Sequence, residues 1–279
     1  MNRLQTEKRA QILNCLCEGN SLRATTRLTG VSINTVVKLL IDAGNACTRF
    51  QDETFRNLKC KRLQCDEAWA FCYAKDKNCT PEMKAKGAGS VWTWVAICSD
   101  TKLIPCWYVG DRDADAAYHF MHDLAGRLAN RVQLTTDGHG PYLRAVEDAF
   151  GSEIDYAQLV KIYGPSFNES PAARYSPAQC MGARKAKVVG KPDYAHVSTS
   201  HVERQNLTMR MGMRRMTRLT NAFSKKVENH EHAVALHFMH YNFCRIHKSL
   251  RVTPAMEAGV ADHVWSLEEL VLMIEEKAK

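Results

Sequence analysis

With 279 residues, 45% of them hydrophobic and 24% charged, the chain is long enough to bury a full core and too apolar for a disordered polyelectrolyte. Its net charge of +8 and pI near 8.9 favour a polyanionic partner. No apolar run reaches membrane-spanning length. The 11 cysteines show no Cys-x-x-Cys spacing, and the N-terminal stretch MNRLQTEKRAQ is polar. They read as reduced core residues of a cytoplasmic protein, with no disulfide framework or zinc site.

Residues 7–43 read as three short helices, and residues 1–44 as one helix-turn-helix unit. Ser21 and Ser32 are expected N-caps, and Gly30 and Gly44 the expected stops. The buried stripe of the third helix would be Ile33, Val36, Val37 and Leu40. Ser32, Asn34, Thr35 and Lys38 would then face a DNA major groove. A small helical bundle docked on the rest of the chain is the plainer alternative. Residues 45–60 read as a polar linker.

From residue 61 the pattern changes. RLQCDEAWAF, SVWTWVAICSD and LIPCWYVG are strand-like runs rich in aromatic and β-branched residues. A helix over DADAAYHFMHDLAGRLAN, a strand RVQLTTD, a helix GPYLRAVEDAFG and a strand DYAQLVKIYG follow. Three strands that can meander, then strands alternating with helices, predict an α/β fold with a mixed five-stranded sheet flanked by helices. That order is the RNase H-like arrangement, assigned here to 61–246, with an insertion at 164–198 carrying a basic cluster at Arg184, Lys185 and Lys187. Two long helical patterns follow from Ser200, and residues 247–279 form a tail and a last helix from about Ser266.

Three acids stand out: Asp66 in LQCDEAW, Asp137 in LTTDGHGPY and Glu203 in SHVERQN. Singly, each has a plain reading. Asp66 and Glu67 could sit in a solvent-facing turn, Asp137–Gly138 is a common turn dipeptide, and Glu203 fits a capping box begun by Ser200. Jointly, the proposed sheet makes Asp66 and Asp137 neighbours, with a helix bearing Glu203 beside them. Such a set suits two divalent ions, Mg²⁺ or its substitute Mn²⁺, for phosphodiester chemistry. Asn206, Arg210 and Arg214 follow Glu203 on one helical face, and Arg204, Arg215 and Arg218 would broaden a phosphate-gripping surface. His201 is a weaker ligand candidate, because two residues along a helix point apart. His139 could touch DNA or simply serve the turn.

DEAW at 66–69, TDGHGPY at 136–142 and HVERQNLTMR at 201–210, followed by FSKKVENHEHAVALHFMHYNF, resemble bacterial insertion-sequence transposases of the InsB type. These belong to the DDE transposase and retroviral-integrase superfamily. The resemblance covers roughly 60–250. It implies that Asp66, Asp137 and Glu203 form a catalytic metal-binding triad for hydrolysis at transposon ends and strand transfer of the 3′-hydroxyl into target DNA. It further implies recognition of terminal inverted repeats, a homodimer or larger synaptic assembly, and a bacterial, nucleoid-associated location. The chain lacks the N-terminal cysteine-pair zinc ribbon of those relatives. Two other functions fit the same residues: a non-catalytic DNA-binding regulator, and an RNase H-like nuclease without strand transfer.

Overall fold

A computed structural model describes residues 4–164, 180–217 and 220–277. Helices α1 (Thr6–Cys17), α2 (Leu22–Thr29) and α3 (Ile33–Thr54) come first. Strand β1 (Arg62–Cys72), the short α4 (Pro81–Lys84), β2 (Gly89–Cys98) and β3 (Cys106–Gly110) follow. Then come α5 (Ala114–Ala125), β4 (Val132–Thr136), α6 (Pro141–Phe150), β5 (Ile154–Tyr163) and β6 (Cys180–Val189). Helices α7 (Ser200–Gly212), α8 (Val227–Met239), α9 (Pro254–Glu257) and α10 (Leu267–Lys277) complete the described chain.

The strands form one mixed sheet of order β3-β2-β1-β4-β5-β6. β1, β2 and β3 pair antiparallel, and β1, β4 and β5 pair parallel, as the RNase H-like arrangement requires. The sixth strand departs from the expected five. It lies inside the stretch read as a loop insertion and pairs antiparallel with β5. CMGARKAKVV gave no strand signal because nearly every side chain of this edge strand is exposed, so no apolar alternation marks it. Residues 165–179 of that stretch lie outside the described residues.

Two apolar clusters cover the sheet. One joins Leu63, Cys65 and Trp94 to Phe120 of α5 and Val146 of α6, and runs on to Ile12, Leu13 and Leu40 of the N-terminal helices. The other joins Ala68, Ala70, Val95 and Ile97 to Val202 and Met209 of α7 and to Val234 and Phe238 of α8. The N-terminal helices therefore share a core with the sheet.

Ser21 and Ser32 cap α2 and α3 as expected, accepting from the amides of Ala24 and Thr35, and Gly30 ends α2 in the left-handed region. The third helix does not stop at Gly44 but continues to Thr54 through the stretch read as a linker. Gly44 serves a close crossing instead: a Cβ there would lie 2.4 Å from the Cβ of His232 on α8. The buried stripe shifts accordingly to Val36, Leu39, Leu40, Ala43 and Cys47, while Ile33 is 39% exposed. Past α8, the fully buried Asn242 accepts from the amide of Ile104 and donates to its carbonyl, both at 3.0 Å, tying the C-terminal helices to the residues before β3.

Candidate metal centre and nucleic-acid surface

The parallel pairing of β1 with β4 brings two acids together. Cys65 is the register partner of Thr136, the last residue of β4, so Asp66 on β1 and Asp137 just past the end of β4 directly follow a paired couple. Asp66 lies within its strand and not in a solvent-facing turn; β1 runs on for six more residues to Cys72. It lies level with the end of its shorter neighbour. Asp137 turns the chain there, and its Oδ1 accepts from the His139 amide at 2.9 Å.

Glu67 joins them. One carboxylate oxygen from each of Asp66, Glu67 and Asp137 lies within 4.8 Å of the others. Burial, and then the charges of Glu67, Asp137 and Glu203, push the Asp66 carboxyl up to about 7. Glu67 is raised too, by burial first, against the pull of the Tyr142 phenol and Arg112. The cluster thus carries uncompensated negative charge, a deficit that a cation relieves. Arg112 offsets part of that negative charge: its Nε donates to Glu67 at 2.9 Å and its Nη2 lies 3.7 Å from Asp137.

Sequence reasoning missed Glu67 and Arg112 as parts of the site. The adjacent DE pair was visible, but strand alternation sends Glu67 to the opposite face. Arg112 reaches the cluster from the loop after β3. Exposure separates the acids: the Glu67 side chain is 1% exposed, against 33% for Asp137 and 39% for Glu203. A catalytic metal must also touch water and substrate, so the buried Glu67 suits an anchor for Arg112.

Glu203 reaches the neighbourhood through α7. The amides of His201 and Val202 both donate to Gln64 Oε1 of β1, at 2.8 and 3.2 Å, which satisfies two free N–H groups of the helix start. The N-cap is Thr199, not Ser200, and the expected capping box does not form. The Glu203 carboxylate instead accepts from the Thr199 hydroxyl and pairs with Lys161 Nζ of β5 at 2.7 Å. Burial works against the Lys161 ammonium, yet the bond to Glu203 raises its pKa. One turn along α7, Asn206 Nδ2 donates to Asp66 at 2.9 Å, so the helix carrying Glu203 is bonded to the first acid. His201 faces Lys102, not the acids.

All donors here are carboxylate oxygens, which suit a hard divalent cation. The residues present therefore fit a hard divalent metal ion.

The other expected contact residues are spread more widely. Ser32, Asn34 and Lys38 are exposed at the start of α3, Thr35 is half-buried, and Lys38 pairs with Asp42 at 2.7 Å. Arg204 is exposed on α7 and Arg210 is half-buried, donating to the Met216 carbonyl. Arg214 does not share their helix face, because α7 ends at Gly212 and Arg214 opens a separate 3-10 turn. Arg215 does not broaden the surface but bonds inward to Ser224 Oγ and the Asn229 carbonyl, and burial lowers its pKa to about 10. Arg218 lies outside the described residues. Arg184, Lys185 and Lys187 are exposed on β6. Lys185 is the register partner of Leu159 and Ala183 that of Lys161, which places Lys185 on the sheet face bearing Lys161.

The histidines of α8 differ in burial, His232 being only half-buried. His230 and His237 are buried, burial lowers both to about 3, and His230 bonds Ser224. No helix among the described residues is long and apolar enough to cross a membrane.

The family model described as IS1 transposase matches residues 182–244, a stretch that includes most of β6, all of α7 with Glu203, and α8. No curated protein matches the chain. Among solved structures, the chain is similar to one titled "Crystal structure of the Mos1 Strand Transfer Complex", at 15% identity with a TM-score of 0.24. The match covers 56% of this chain and 59% of that one, less than two thirds of its length.

Proposed function

We propose that this chain is a DNA transposase of the DDE type, related to the InsB group, with Asp66, Asp137 and Glu203 as its catalytic carboxylates. The observation that carries this reading is the joining of three elements. Register places Asp66 beside Asp137, and Asn206 bonds Asp66 from the helix that bears Glu203. The IS1 transposase match over 182–244 includes that helix.

Two Mg²⁺ ions, or Mn²⁺ in their place, would activate the attacking oxygen and neutralise charge on the leaving one. The protein's own groups set the stage. Asn206 fixes the Asp66 carboxylate, and the turn at Asp137–His139 fixes its neighbour. Lys161 holds Glu203 in place until substrate and metal arrive. Arg112 balances Glu67 and so keeps buried charge from spreading the site apart.

DNA would lie along the exposed basic residues. Ser32, Asn34, Thr35 and Lys38 at the start of α3 would read the transposon's terminal repeats as a helix-turn-helix. Arg204 and Arg210 would take phosphates near the acids, and Arg214, on the turn after α7, would contact DNA farther along. The β5–β6 hairpin, with Arg184, Lys185 and Lys187, would serve as an arm to DNA or to a second subunit. Synapsis of two ends requires a dimer or larger assembly.

The test is a strand-transfer assay with labelled transposon-end DNA and Mg²⁺ or Mn²⁺. Wild type should cleave and join, and Asp137→Asn should do neither. Equal activity of the two proteins overturns the metal site. Cleavage without joining identifies a nuclease, and end binding without cleavage identifies a DNA-binding regulator.

A further inference from the structure

A second feature lies away from the acids. A cleft of about 1060 Å³ opens between the N-terminal helices, the distal end of β1 and residues 213–215 and 220–225. Its wall includes Arg23 and Arg27 of α2, together with Lys75, Arg214 and Lys225, all five of them exposed. Although the chain has 30 aspartates and glutamates, none lines this cleft among the described residues. Such a one-signed surface concentrates a polyanion.

The cleft also holds aromatic rings. Phe71 and Phe223 lie with ring centroids 4.8 Å apart, and Trp69 stands 5.9 Å from Phe71. Lys225 Nζ sits 3.7 Å from the Phe223 centroid, and Lys75 Nζ lies 5.7 Å from that of Phe71. Glu67, Trp69 and Phe71 alternate along β1 and share a face, so Phe71 lies about 13 Å from Glu67 at the usual strand rise. Aromatic platforms interleaved with cations are how sequence-tolerant sites hold single strands, because every base offers a π-face and every nucleotide a phosphate. A duplex, whose major groove alone is about 12 Å wide, is a poor match for a cleft of this volume.

We infer that this cleft binds a short single-stranded DNA segment leading away from the acidic site, with a base stacked at Phe71 and Phe223 and phosphates held by Arg23, Arg27 and Lys225. The inference rests on the transposase reading only in taking DNA as the polyanion.

The test is fluorescence anisotropy on the full chain. The probes are a labelled oligothymidylate of about 12 nucleotides, the matching oligouridylate, and a duplex, titrated across salt. Phe223→Ala should weaken oligothymidylate binding roughly 5- to 100-fold and leave duplex binding unchanged. Phe223→Trp should retain single-strand affinity. Arg23→Ala with Arg27→Ala, on an exposed helix face, should lower the single-strand salt slope by about 1.4. These two surface substitutions decide the matter if Phe223→Ala fails to fold. Duplex binding by wild type, with single-strand binding absent or equal in all variants, overturns the cleft and leaves the transposase reading standing. Failure of wild type to bind any DNA overturns both. Tighter binding of oligouridylate than of oligothymidylate overturns the assignment to DNA.

Discussion

Asp66 and Asp137 are placed by backbone; Glu203 is placed by side chains. The first two follow from the register of two parallel strands, whose last paired couple, Cys65 and Thr136, immediately precedes them. Glu203 depends on Gln64 capping α7, on Asn206 reaching Asp66, and on Lys161 holding the carboxylate. A strand-held pair tolerates change around it. A carboxylate held by side chains is adjustable, and one substitution can displace it. This difference suits a site in which two ligands stay fixed while the third responds to metal and DNA.

The largest expected effect comes from the strand-held pair. Asp137→Asn should lower single-turnover cleavage by about 10³-fold, the loss of several kcal/mol of metal-borne stabilisation, with an unchanged circular dichroism spectrum. Next is the support of the third acid. Gln64→Leu should cost about 10- to 100-fold in cleavage while the Asp66–Asp137 pair stays in register. A loss as large as that of Asp137→Asn, together with a collapsed melting transition, would mean that α7 and β1 form one indivisible unit.

A smaller effect separates the acids by pH. The folded Asp66 carboxyl titrates at about 7 because of burial and its acidic neighbours, whereas an unfolded aspartate titrates near 3.9. Between those values the folded state holds a proton that the unfolded state has released. Its contribution to stability therefore falls as pH rises from about 4 to about 7, and is level above. His230 and His237, buried and depressed to about 3, have the opposite slope over the lower part of this window. The informative quantity is thus the difference in melting temperature between wild type and Asp66→Asn in chelator, which should shift in favour of Asp66→Asn as pH rises. Added Mn²⁺ should reverse that trend in wild type alone. The smallest effect is at Lys161: Lys161→Met removes a half-exposed ion pair and should raise Mn²⁺ affinity by less than about fivefold.

The same contrast explains what the sequence disclosed. Asp66 and Asp137 were legible because strand periodicity and the strand–helix order determine parallel neighbours, and Glu203 because an arginine-rich helix begins beside it. The contacts that hold Glu203 were not legible, since Gln64, Asn206 and Lys161 come from β1, α7 and β5, and no local pattern links them. Glu67 was hidden by alternation, and Arg112 by its loop. β6 escaped because an exposed edge strand has no apolar stripe. The long α3 escaped because Gly44 looks like a helix stop, whereas it fills a close approach to His232. Arg214 was misplaced because spacing alone does not reveal that α7 ends at Gly212.

The geometric cluster contains Glu67, yet its 1% exposure against 39% for Glu203 is the reason to propose Glu203 as the third metal ligand. Titration of Mn²⁺ by calorimetry into wild type, Glu203→Gln and Glu67→Gln decides between them, with thermal melts to verify folding. A site built from Asp66, Asp137 and Glu203 predicts that Glu203→Gln weakens binding at least about tenfold and that Glu67→Gln weakens it less. Wild-type affinity in Glu203→Gln, with binding lost in a folded Glu67→Gln, would contradict it.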